Sequence, residues 1–310
     1  MKKIYIALIS IVLLAIACSK DRTMLLDDGN PTPGNPNDKF TTIDRAALAK
    51  LGSQTEKKTI KSQDDLPFVG SQGTQVWLFD RDLRMPDGSA VSYPFEIEML
   101  ELFTPKDMIL HQMPTVSRGR LLTTAGEMNI RAYKDGKELK LDRYSSTQII
   151  VPIKGRVDAN MELFYGDDKG GGFIDWYPAN MPGIETQWGL YPEGKSYFIF
   201  PERIGWINCD KFYNFTEAKT TITFSSENPP IENILIFLYF PDLQSLMQVY
   251  RITSGEVPVG RTVKVVAVGI TKDEEYHSFF QEMVVQDKQK VEIKLTPTTK
   301  ESFLKYLDTL

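Results

Sequence analysis

Four large aromatic side chains, Trp176, Tyr177, Trp188 and Tyr191, fall within one short stretch of this sequence. Exposed rings stack on sugars, because their apolar bodies match the CH-rich face of a pyranose. Rings tucked under a loop form an aromatic mini-core instead, and both readings stand at this point. The same stretch carries Asp167, Asp168 and Asp175 around the glycine run Gly170-Gly171-Gly172. Carboxylates on a flexible loop are the hard oxygen ligands that calcium takes. Their spacing matches no EF-hand loop, so a solvated acidic turn is the competing reading. The chain holds two histidines, His111 and His277, which leaves little for a His-rich zinc site or a Ser-His-Asp arrangement. Both fall in segments that read as strands or strand ends, where an exposed or hydrogen-bonded imidazole is expected. The chain has 41 Asp and Glu, but a glycosidase pair is defined by separation in space. No nucleophile elbow, phosphate loop or dinucleotide fingerprint is present, and no cofactor is implied.

Cys18 is the other residue with a chemistry to assign. Lys2 and Lys3 form a positive start, Ile4 to Leu14 is apolar and uncharged, and Ala15-Ile16-Ala17 places small residues just before the cysteine. That is the layout of a secretory signal peptide. The apolar run is shorter than the roughly 20 residues of a spanning helix. Cleavage by ordinary signal peptidase would leave a free Cys18. The stretch also resembles a bacterial lipobox, with Ala15 where the usual box has Leu and Leu14 one place earlier. That resemblance implies lipid on Cys18. Ser19 in place of Asp then implies sorting to the outer membrane, and Ser19-Lys20-Asp21 resembles the polar export signals of Bacteroides-type surface lipoproteins.

Composition bounds the rest. The formal charge is −5, and loss of Lys2 and Lys3 makes the mature chain more acidic. Such a chain offers no electrostatic footprint for nucleic acid. Hydrophobic residues at 42% and charged residues at 25% are those of a globular protein. Cys18 and Cys209 are the only cysteines. With Cys18 acylated the body has no internal disulfide, so its stability comes from core burial, with Cys209 a small buried residue.

The elements that must position these residues are mostly strands. Residues 27–39, rich in Gly, Pro, Asn and Asp, read as a tether. Thr41 to Leu51 is a helix candidate stopped by Gly52. The folded body is expected to begin near Leu66, with short strands separated by turns such as Pro86-Asp87-Gly88 and Lys134-Asp135-Gly136. Phe95, Ile97 and Met99 alternate with Glu96 and Glu98, after which Leu100 and Leu102 become the apolar positions. This phase change predicts a β-bulge near Met99–Leu100. Asp167 to Tyr191 is expected to be a long surface excursion. Ile234–Phe240 is continuously apolar, as a central strand covered on both faces would be. A last helix starts at Thr298, with Glu301 at capping-box spacing. Two short motifs, the glycosylation triplet Asn214-Phe215-Thr216 and the Asp308-Thr309-Leu310 end, carry little information.

The segments Thr104-Pro-Lys-Asp-Met-Ile109, Met113-Pro-Thr115, Gly119-Arg-Leu-Leu122 and Ala125-Gly126 leading into Met128-Asn-Ile-Arg-Ala132 resemble the ZU5-like β-sandwich modules of Bacteroides-type surface lipoproteins. Gly205-Trp-Ile-Asn-Cys-Asp210 resembles a segment that follows in the same proteins. The resemblance implies structural and protein–protein contacts, by analogy of fold. The fold class expected is mostly β, with tandem β-sandwich-like domains, a short N-terminal helix and a C-terminal helix. The expected division is a signal peptide at 1–17, lipidated cysteine, tether and short helix at 18–65, a ZU5-like sandwich at 66–165, an irregular and β middle region at 166–228, and a C-terminal β domain at 229–310. The function expected is that of a non-enzymatic outer-membrane lipoprotein, periplasm-facing or cell-surface exposed, serving as an adhesion or scaffold module. Its partners would be the membrane, through the lipid, and a surface protein or glycan. A carbohydrate-binding accessory protein using the four aromatics is the alternative, and a glycan hydrolase the third reading.

Overall fold

The computed structural model describes residues 39–153, 155, 157–168, 174–180 and 189–310. The expected signal peptide, Cys18 and the expected tether up to residue 38 therefore lie outside the described residues. Strand dominates, with three short α-helices among the described residues. The result is the multi-sheet, β-sandwich-like architecture that the turn punctuation predicts.

In chain order the elements that matter are β1 (Phe40–Thr41), α1 (Arg45–Ala49), β2 (Glu56–Ile60), β3 (Phe68–Val69), β4 (Gln75–Trp77), β5 (Phe95–Leu102), α2 (Pro105–His111) and β6 (Arg120–Lys134). They continue with β7 (Gln148–Pro152), β8 (Glu162–Asp168), β9 (Ile174–Pro178), β10 (Gly189–Glu193), β11 (Ser196–Phe200) and β12 (Gly205–Phe212). The last are β13 (Leu235–Phe240), β14 (Ser245–Val249), β15 (Thr262–Thr271), β16 (Tyr276–Val284), β17 (Thr296–Thr298) and α3 (Lys300–Leu307). A central sheet runs β9-β8-β12-β6-β5-β2, an outer sheet β10-β11-β7-β4-β3, and a C-terminal sheet β14-β13-β15-β16-β17, with β1 beside β15. All of these pairings are antiparallel.

Among the described residues, three apolar cores fill the spaces between the layers. Ile97, Met99, Ile130, Ile207 and Cys209 of the central sheet meet Val76, Ile149 and Ile199 of the outer sheet. On the opposite face, Leu102, Leu122, Phe164 and Trp176 meet Phe237 and Val266 of the C-terminal sheet, together with Leu48, Ile109 and Phe303 of the helices. The far face of the C-terminal sheet buries Ile236, Leu238 and Val265 with Phe224 and Ile293. β13 thus sends alternate residues into two cores, which explains its unbroken apolar run.

Residues 39–310 form one compact unit, and the body does not wait for Leu66 to begin. Phe40 pairs with Thr271 of β15, and Glu56–Ile60 pairs with β5. Their short length and the polar residues around them conceal both strands in the sequence. The first helix is real and capped by Asp44, whose carboxylate accepts from Ala46 N at 2.9 Å. The last helix is capped by Thr299, one residue later than expected, through its acceptance from Ser302 N at 3.1 Å. α2 was unforeseen, although its start is explicit in the chain: Thr104 Oγ1 accepts from Asp107 N at 3.1 Å and Pro105 opens the first turn.

The bulge also lies elsewhere. β5 keeps an unbroken register against β6, from Glu96 opposite Tyr133 to Leu102 opposite Glu127. Its pattern changes because the strand enters a stretch covered on both faces, so Leu100 and Leu102 are buried as well as Met99. Glu101 is buried there too, its carboxylate accepting from Gln72 N at 2.8 Å and Thr74 N at 3.0 Å. The register shift falls between β12 and β6, where Asn208 faces Glu127 but Asp210 faces Thr124. Ala125 and Gly126 together lie opposite Cys209, and Gly126 takes φ +138°, a conformation that favours glycine.

Candidate functional site

Among the described residues of the aromatic stretch, β8 and β9 pair from Phe164–Pro178 to Asp168–Ile174, and β10 pairs with β11, while residues 169–173 and 181–188, on which the expected excursion also falls, lie outside the described residues. Alternation along β9 then separates its two rings. Trp176 points into the core and is fully buried, its indole Nε1 donating to Pro114 O at 3.0 Å. Trp206 lies edge-on at 6.4 Å. Opposite Trp176 stands Gly166, where a Cβ would come within 2.6 Å of Ile174, 2.8 Å of Trp206 and 3.0 Å of the Trp176 ring. Tyr177 lies on the other face, with the Arg118 guanidinium 4.9 Å from its ring centre. Tyr191 belongs to the outer sheet, is about half exposed and meets Phe200 edge-on. Trp188 lies outside the described residues. Of the two readings of these rings, Trp176 follows the buried one and has no free face for a sugar, while Tyr191 sits in a different sheet from Trp176 and Tyr177.

The acidic residues spread in the same way. Asp167 and Asp175 face each other across β8 and β9. Asp167 is ion-paired with Arg203, whose guanidinium also lies 4.8 Å from the Tyr165 ring centre. Asp175 Oδ1 accepts from Arg118 N at 2.9 Å. Asp168 is exposed at the strand end, and Gly170–Gly172 lie outside the described residues. Among the described residues no three His, Cys, Asp or Glu side chains gather as metal ligands do. The histidines stand apart: His111 Nε2 lies 2.9 Å from Ser53 O, and His277 packs edge-on to Phe40 at 5.0 Å. Burial lowers the pKa of both. Cys209 is fully buried, and burial pushes its thiol up, so it behaves as a small apolar residue.

Two polar arrangements were not foreseen. The first is a ladder on the solvent face of β2, β5 and β6. Lys57 stands opposite Glu98, which stands opposite Arg131. Lys57 and Glu98 form an ion pair, and Arg131 reaches Glu138 at 3.6 Å. Next to this row, Thr59, Glu96 and Tyr133 lie side by side. They line an open hollow of about 410 Å³ with Phe95, Glu98 and Lys134. Lys134 Nζ closes its rim by donating to Ser92 O and Pro94 O, each at 2.8 Å. Opposite charges directly across a strand pair stabilise it modestly. The sequence signal was the Glu96-x-Glu98 alternation, which identifies a solvent face but not its cross-strand partners.

The second arrangement is buried. The bulge at Ala125–Gly126 allows Thr124 and Glu127, three residues apart, to point to the same face, against the usual period of two. That face looks into the core beneath the C-terminal sheet. Asn208 and Asp210 of β12 join them there, and Glu127, Asn208 and Asp210 are all fully buried. Asn208 Nδ2 donates to Asp210 Oδ2 at 2.7 Å and to Glu127 Oε1 at 3.5 Å. Burial drives both carboxyl groups well above the ordinary carboxylate range, and the Asp210 charge pushes Glu127 further. The signal in the sequence was a glycine inside a strand pattern.

No protein-family model matches this sequence, and no curated protein matches it significantly. Among solved structures, the gamma-CGTase of the alkalophilic Bacillus clarkii is similar over 80% of this chain, at 9% identity and a TM-score of 0.19. The match spans 42% of that protein's length. A likeness of this size carries no argument about fold or chemistry.

Proposed function

We propose that this chain is a non-enzymatic interaction module, anchored by lipid on Cys18 in the outer membrane and displayed as an adhesion or scaffold protein. The observation that carries the reading is the solvent face of β2, β5 and β6. There, Lys57, Glu98, Arg131 and Glu138 alternate in sign beside an open hollow. Such a face is rigid, since its strands are clamped from behind by the core of Ile97, Met99, Ile130 and Ala132. Polar, charge-patterned surfaces favour selective encounter with a complementary partner more than raw affinity. The partner class that fits is a protein surface of matching charge pattern, because a ladder of side chains spaced by strand pairing reads an extended surface. The ZU5-like resemblance points the same way by analogy.

The anchor and the display are tested together. Surface biotinylation of intact cells should label the wild-type chain in the outer-membrane fraction. Cys18→Ser should move the body into soluble fractions, since stable anchoring requires the acyl chains. Retention of Cys18→Ser in the membrane would remove the lipoprotein reading. The burial of Trp176 removes one of the four aromatics from the carbohydrate-binding alternative.

A further inference from the structure

We propose that Glu127 and Asp210 are a proton-sharing pair that makes the docking of the C-terminal sheet on the central sheet sensitive to pH, tightest in acid and progressively loosened as pH rises through neutral into alkali. The geometry carries this. Both side chains are fully buried, they are bridged by the single amide nitrogen of Asn208, and one oxygen of each, Glu127 Oε2 and Asp210 Oδ1, lacks a hydrogen-bond partner. Two carboxylates bridged in this way and removed from water cannot both be ionised cheaply. A retained proton lowers that cost and supplies a donor to an orphaned oxygen.

The hydrogen-bond network argues for a proton over a metal ion. Thr124 Oγ1 accepts from Gly126 N at 3.0 Å and gives its own hydrogen to Asn208 Oδ1 at 3.1 Å. The amide is thereby oriented with its nitrogen toward the carboxylates, which places donors where a cation would need oxygen.

The surrounding elements supply no compensating charge among the described residues. β5 presents Leu102 and β8 presents Phe164 to the pair. Glu162 of β8, opposite Asp210, is exposed and of like charge. Lys211 is engaged with Asp158. β14, which packs on β6, has no titratable side chain, and the carbonyl of Gln244 before it accepts from Thr124 N at 3.1 Å. On α2, Lys106 binds Asp308, Asp107 binds Ser53 N, and His111 meets Ser53 O.

The sign follows from linkage. A carboxyl group whose folded pKa is raised contributes stability below its unfolded pKa and loses it as pH climbs through the folded value. The step is a deprotonation: the carboxyl O–H breaks, its proton leaves to base in solvent, and two facing carboxylates remain beneath β14.

Hydrogen exchange of the full chain between about pH 6 and pH 9 tests this, with Asp210→Asn and Glu127→Gln beside wild type. After correction for intrinsic exchange, wild-type protection of β13 and β14 falls by up to about tenfold per pH unit, the slope of one released proton. Protection of β7 and β11 in the outer sheet falls less, and both variants flatten the slope in β13 and β14. A flat wild-type profile, or an unchanged slope in the variants, overturns the proposal. So does protection that rises with added calcium or sodium in wild type alone, which would make the pair a cation site. Should both variants fail to fold, the infrared carbonyl band of a protonated carboxylic acid in wild type near neutral pH decides: its presence supports the pair and its absence overturns it.

Discussion

The indole of Trp176 donates to the carbonyl of Pro114 across 3.0 Å, and this bond ties the hairpin of β8 and β9 to the segment that follows α2. Trp176 is therefore a structural residue. Trp176→Ala should cost about 3–5 kcal/mol, as large-to-small changes in cores do. Trp176→Phe should cost less but leave the Pro114 carbonyl without its donor, at about 1–3 kcal/mol. Urea unfolding followed by far-ultraviolet circular dichroism measures both. A neutral Trp176→Ala would show that the side chain is not packed as described.

The bulge at Gly126 gives a second prediction. A Cβ there would lie 2.4 Å from Phe103 Cδ1, on a backbone at φ +138°. Gly126→Ala should destabilise the body strongly, because the ring must move and the conformation is disfavoured. Gly136→Ala makes the comparison: its φ is +72° with nothing within 4 Å, so it should cost only about 1 kcal/mol, the backbone share alone. Equal melting temperatures for the two variants would contradict the packing at the bulge.

On the acid side a different pair contributes to the pH response. The Arg261 guanidinium holds Glu217 down to about 2, helped by the backbone and the Tyr213 hydroxyl. A depressed folded pKa gives stability that is present above the unfolded value and lost as pH falls through the folded one. Glu217→Gln should therefore lower the melting temperature near pH 6 and lose that effect as pH approaches about 2. The carboxylate is still partly open to solvent, so the shift should be small and should shrink in high salt. A variant gap that widens in acid would reverse the assignment.

The sequence made the sheets legible, because alternation and turn residues are local signals: Pro86-Asp87-Gly88 and the run Leu235–Phe240 sit where those rules place them. It left the site obscure because the deciding relations are long-range. Trp176 can be read as exposed or as buried while its partner Pro114, 62 positions away, is unknown. Glu127 and Asp210 read as two ordinary acids until β6 and β12 are laid side by side. The Met99–Leu100 phase change was a true signal with the wrong cause, since burial on both faces mimics the periodicity break of a bulge. The Ala125–Gly126 bulge had only its glycine to announce it.

The central claim, that the face of β2, β5 and β6 engages a partner, is tested most directly by site-specific photocrosslinking on intact cells. A photoreactive residue at Tyr133 should give a discrete adduct with a second protein. The same residue at Glu301 on α3 should give none, and Arg131→Glu combined with Tyr133 labelling should abolish the adduct. Adducts of equal yield from Tyr133 and Glu301, or an adduct from Tyr133 that survives Arg131→Glu, would contradict the account.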